Sequence, residues 1–120
     1  MLMDIFGTKM KGLPRESNWS VWKDRLNDED FDIAKRAMNA YIDKEIVSKS
    51  KEPISAAKIA GKDWTGGPYQ SLYHAVNKDT TAAAFFFGLI LWQVFQERDE
   101  EWNFIGDQIK TGMEYFLHTN

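Results

Sequence analysis

Thr80 to Gln96 reads TTAAAFFFGLILWQVFQ, seventeen residues without a charge, closed by Asp79 on one side and by Glu97–Glu101 on the other. Such a stretch has to be kept from water, so it marks the centre of the protein. A membrane span needs about 20 predominantly apolar residues. This run is shorter and contains Thr80, Thr81, Gln93 and Gln96. The flank that follows, ERDEE, is acid-rich, where a cytoplasmic membrane boundary would carry Lys and Arg. The expected element is therefore a buried helix over about 79–97, with Asp79 as its N-cap. No membrane partner is expected.

Upstream, the apolar residues recur at helical spacing. Ser17 or Asn18 caps a first helix that puts Trp19, Trp22 and Leu26 on one face. Asn27-Asp28-Glu29-Asp30 opens a second, its acids suiting the positive end of the helix dipole. The stripe Phe31, Ala34, Met38, Tyr41 and Ile42 carries that helix to about Val47. Ser48–Glu52 reads as a loop, and Ile54–Ala60 as a short Ala-rich helix stopped by Gly61. After the loop Lys62–Pro68, Pro68 suits the first turn of a helix striped by Tyr69, Leu72, Tyr73 and Val76. Downstream, Trp102, Ile105, Ile109, Met113 and Phe116 suggest a last helix starting near Asp99 or Glu100. No alternating β-branched run bounded by turns is visible. The expectation is thus an all-α fold, a single compact domain of five or six helices packed around the central one. Residues 1–16 form an irregular N-terminal arm and 17–120 the helical domain.

Composition narrows the function classes. A chain of 120 residues fits one domain and buries roughly two-thirds of its unfolded surface. It has no cysteine, which removes disulfides, thiolate metal sites and Cys nucleophiles. With MLMDIFGTKMKGLPRE showing no secretory pattern, a cytoplasmic location is expected. The net charge of −3 argues against broad nucleic-acid binding. The charge is uneven: residues 1–78 sum to +2 and residues 79–120 to −5.

No catalytic or metal constellation stands out. Glu114 and His118 are four apart and would share a helix face, but Glu-x-x-His pairs of the di-metal bundles are absent. Ser71 and His74 have no acid placed by sequence to orient the histidine. Gly61 and Gly66 have the spacing of a Walker loop, but Gly67 and Pro68 stand where Lys and Ser/Thr are needed. Neither a metal nor a cofactor is expected, and catalysis is not favoured.

Two patterns between 54 and 78 have functional shape. The first is a helix-turn-helix, with Gln70, Ser71, His74, Asn77 and Lys78 facing base edges. Lys49, Lys51, Lys58 and Lys62 would then meet phosphate. Its turn is longer than usual, and the reading helix has no Arg and a single Lys. The second is an aromatic loop in which Trp64, Thr65, Gly66, Gly67, Pro68, Tyr69 and Tyr73 form a surface for a partner. The leading expectation is a small soluble regulatory or protein-interaction protein without catalytic activity. It binds another protein and itself, as a homodimer favoured by close helix approach at Ala84 and Gly88. The helix-turn-helix regulator is the alternative, and a small-ligand-binding helical domain lined by the aromatics the second alternative.

Overall fold

The uncharged run is a helix, but it packs against a sheet. In the computed structural model the described residues are 1–13, 16–48, 52–106 and 113–118. Lys49, Lys51 and Ile109, named above, lie outside them. In chain order the elements are β1 (Leu2–Met3), α1 (Glu16–Asp24), α2 (Asp28–Ser48), β2 (Ile54–Ser55), α3 (Ala56–Ala60), α4 (Gln70–Ala75), α5 (Thr80–Glu97), β3 (Trp102–Ile105) and β4 (Glu114–Leu117). The strands form one mixed sheet in the order β1-β3-β4-β2. β1 runs parallel to β3, while β4 is antiparallel to both β3 and β2.

The helix starts follow local chemistry. Asn27 Oδ1 accepts the Asp30 N–H at 2.7 Å, and Ser55 accepts from Lys58 N–H as the N-cap of α3. Asp79 Oδ1 accepts from Ala82 N–H at 3.0 Å, as its position before the uncharged run requires. Phe86, Ile90, Leu91, Val94 and Phe95 of α5 are buried, with Ala34, Met38 and Ile42 of α2 in the same core. The aromatic half of that core is tight: the Phe95 ring stacks on Tyr115 at 4.1 Å and tilts against Trp102 at 4.8 Å.

The all-α, helical-bundle expectation is overturned where the last helix was placed. Trp102–Ile105 and Glu114–Leu117 are strands, paired Trp102 to Leu117 and Phe104 to Tyr115. In β3 the inward residues are Trp102 and Phe104, and Ile105 is exposed. Asn103 is buried as well, so the four residues show no alternation to set against the helical spacing of Trp102, Ile105 and Met113. Two further strands come from segments read otherwise. Leu2 and Met3, in the arm, pair with Trp102 and Asn103, and Ile54 and Ser55 pair with Tyr115 and Glu114. The arm belongs to the core, since Leu2 is buried and Trp92 Nε1 donates to the Gly12 carbonyl at 3.0 Å.

Arg98 ends α5. Its backbone turns extended, and its guanidinium reaches Asp43 at 2.6 Å, Asn39 at 2.8 Å and Glu100 at 2.8 Å. The Met1 amino group donates to the carbonyls of Phe95, in the last turn of α5 where acceptors are left free, and of Arg98 and Glu100 just beyond the helix. The chain leaves α5 directly into the sheet. Among the described residues no helix is long and apolar enough to cross a membrane.

Candidate functional site

The N-terminal half of α5 is covered less completely than the rest. Ala84 is exposed, Phe85 and Gly88 are half-buried, and these residues floor a groove of about 840 Å³. One wall is α3 with the loop that follows it, through Ala56, Ala57, Ala60 and Trp64. The other is α4 and the turn behind it, through Tyr73, His74 and Lys78. Trp92, Met113 and Tyr115 line it as well. Small side chains, Ala56, Ala57 and Ala60 of α3 with Ala83, Ala84 and Gly88 of α5, share the lining with aromatic rings. A hydrophobic channel of this size, with a few polar groups at its rim, falls in the range of ligand-binding clefts.

The loop wall is built rather than loose. Trp64 Nε1 donates to the Ala60 carbonyl at 3.0 Å, and its ring lies 5.7 Å from Phe87 and 6.0 Å from Tyr69. Tyr69 is itself buried edge-on against Phe87 at 4.8 Å, and burial pushes its phenol up to about 12. Gly66 takes φ of +71°, which glycine alone adopts easily, and its N–H donates to Gln70 Oε1 at 2.9 Å. Asp63 accepts from the Thr65 N–H, and hydrogen bonds from Thr65 hold its carboxyl below the usual range.

Two residues at this groove are poor choices for stability. Gly88 sits inside a helix, where glycine costs roughly 1 kcal/mol relative to alanine. Nothing in the fold demands it, since a Cβ placed there would meet no atom within 4 Å. Lys78 has φ of +61°, directly after Asn77 at +57°. The left-handed region costs a side-chain-bearing residue about 1 kcal/mol or more. That turn, closed by Lys78 N–H donating to the Tyr73 carbonyl at 2.9 Å, puts the lysine on the rim.

Of the residues singled out in the loop, Trp64, Thr65 and Tyr73 line the groove. Gly66, Gly67 and Pro68 are exposed beside it, and Tyr69 lies beneath as part of the core. Pro68 falls in the turn before α4, whose first helical residue is Gln70. Of the DNA-facing set, Lys62, Gln70, His74 and Lys78 line the same groove. Ser71 is half-buried, Asn77 is exposed, and Lys58 is held by Glu52 at 3.4 Å. The Gln70 amide sits 3.5 Å from His74 Nε2, so the nearest partner of that histidine is not Ser71.

Glu114 and His118 lie on and just beyond a strand, where four residues span roughly 13 Å, so they do not share a helix face. His118 Nδ1 is instead 2.8 Å from Asn103 Oδ1, whose amide nitrogen donates to the Asp4 carbonyl. The contribution of Ala56, Ala57, Phe85 and Trp92 to a site went unread. The one available signal was two alanine-rich segments, 56–60 and 82–84, each ahead of a glycine.

Comparisons with protein-family models, with curated proteins and with solved structures find no match for the chain. Fold and site together define a single α/β domain with an apolar, small-residue groove along its central helix.

Proposed function

We propose that this is a protein-interaction domain, and that its groove holds a segment of another protein against the Ala84–Gly88 face of α5. The observation that supports the reading is Gly88, a helix-interior glycine where a Cβ would meet no atom within 4 Å. A glycine there lets a backbone from outside come close. From Thr81 to Trp92 the floor rises about 16 Å, roughly three helical turns. A helix laid in a groove, anchored at i, i+3/i+4 and i+7, has these dimensions. Regulators and adaptors of this size act by such contacts, an argument from class alone.

A photo-crosslinking amino acid at position 84, used in cells, tests the reading. A discrete protein adduct that disappears when Gly88→Trp is added is the expected result. Adducts that persist with the groove filled, or none at all, would remove it.

A second reading, small-ligand binding, is favoured by the groove's volume and by Trp64, Tyr73, Phe85 and Trp92 around it. It predicts a small-molecule adduct from the same position.

A further inference from the structure

The rim of the groove is charged against the trend of the chain. The whole sequence is net −3, yet the lining residues include Lys62 and Lys78 and one acid, Asp63. Among the described residues neither lysine forms an ion pair, whereas Lys23, Lys35 and Lys58 each do. The Asp63 carboxylate is turned to its own loop by the Thr65 N–H. His74 adds a hydrogen-bonding ring between Tyr73 and the lysine turn. Lys78 reaches this rim at the cost of a left-handed backbone, and strained residues that persist tend to sit where a ligand is engaged.

We infer that the occupant of the groove is an amphipathic helix of a partner protein whose apolar stripe lies on Ala84 and Gly88 and whose acidic side chains meet Lys62 and Lys78. The inference rests on the interaction reading above and adds the chemistry of the partner. Small residues on α3 and α5 leave room for a helix rather than a single side chain. The two unpaired ammonium groups select its sign, since charge complementarity at a rim sets partner choice and register. A second copy of this chain fits less well through its own central helix, because α5 is the floor of the groove and does not protrude.

The test uses the full chain and synthetic helical peptides of about 14 residues, roughly 20 Å long. Each has an Ala/Leu stripe and either three Glu or three Lys at one end. Binding is read by fluorescence anisotropy at low salt. The Glu peptide is expected to bind about tenfold tighter, the scale of two rim ion pairs. The paired substitution Lys62→Glu with Lys78→Glu should reverse the preference, and Gly88→Trp or Ala84→Trp should abolish both complexes while melting normally.

Equal affinities that vanish with Gly88→Trp would overturn the acidic-helix inference and leave the groove reading standing. Absent binding, or binding indifferent to both Trp variants, would overturn the two together. Displacement of the Glu peptide by a random-sequence DNA duplex would replace the inference with the nucleic-acid reading. Self-association in sedimentation that is lost with Gly88→Trp and competed by neither peptide would replace it with a second copy as occupant.

Discussion

Up to Gln96 the two halves of α5 are alike in carrying no charge, and they are opposite in circumstance. From Leu89 to Phe95 the helix is enclosed, with Leu91 and Trp92 as deeply covered as Ile90 and Val94. From Thr80 to Gly88, Phe86 and Phe87 face the core while Thr81 and Ala84 face out over the groove. The difference comes from what the rest of the chain places alongside. The C-terminal half meets the sheet through Trp92–Phe104 at 4.8 Å and Phe95–Trp102 at the same distance. The N-terminal half packs Phe85 and Phe86 on Trp19 and Trp22 of α1, and on its other side shares the groove with the two short helices α3 and α4. An uncharged run therefore reports that a helix is central, without reporting which of its faces are covered.

The contrast breaks most readily at Phe95. Its truncation to Ala should cost about 3–5 kcal/mol, because the ring is fully buried between Tyr115 and Trp102. Urea denaturation showing less than about 1 kcal/mol would mean that the C-terminal half is not enclosed. Phe86→Ala should fall in the same range, since that ring faces the core from the open half and packs on Trp19. A much smaller loss there would make the whole N-terminal half peripheral.

Ala84→Leu sharpens the comparison from the other side. The position is exposed, so stability should move by no more than about 0.5 kcal/mol, while the crosslinking partner is lost. A large loss of stability would show the groove to be part of the core.

The closed end should also carry an acid-sensitive term. Hydrogen bonding from Arg98 holds the Glu100 carboxyl below its usual range, against the opposing effect of burial. The folded value lies below the unfolded one, so the stabilisation is present at neutral pH. It is lost as pH falls below about 4, through the folded value. Glu100→Gln should flatten this acid limb of a stability-against-pH curve, and an unchanged limb would place the titration elsewhere.

The smallest effects have the opposite sign. Gly88→Ala should stabilise by about 0.5–1 kcal/mol through helix propensity. Lys78→Gly should stabilise by a similar amount, about 1 kcal/mol, by releasing the left-handed strain. Thermal melts that show either variant less stable would reveal a contact within the chain that warrants the native residue. They would also remove the case that stability has been set aside here for binding.

Sequence alone determined the elements whose information is local. Asp79 caps the uncharged run, Asn27 caps α2 and Gly61 closes α3, because each satisfies backbone groups within a few residues of itself. The loop around Trp64 was legible as a special segment for the same reason, through its glycines and its proline. The strands were not. Four-residue β3 and β4 put Trp102, Phe104 and Tyr115 against the core and leave Ile105 and Leu117 exposed, too little to distinguish a strand from a helical stripe. Their partners Leu2 and Ile54 come from distant parts of the chain. Only the tertiary structure decided that Trp102–Ile105 is extended, because the hydrogen bonds that favour it come from β1 and β4. It also decided which face of α5 is open. Residues such as Ala84 and Gly88 suit burial and exposure equally, and the spacing of the walls around them is a property of the packed whole.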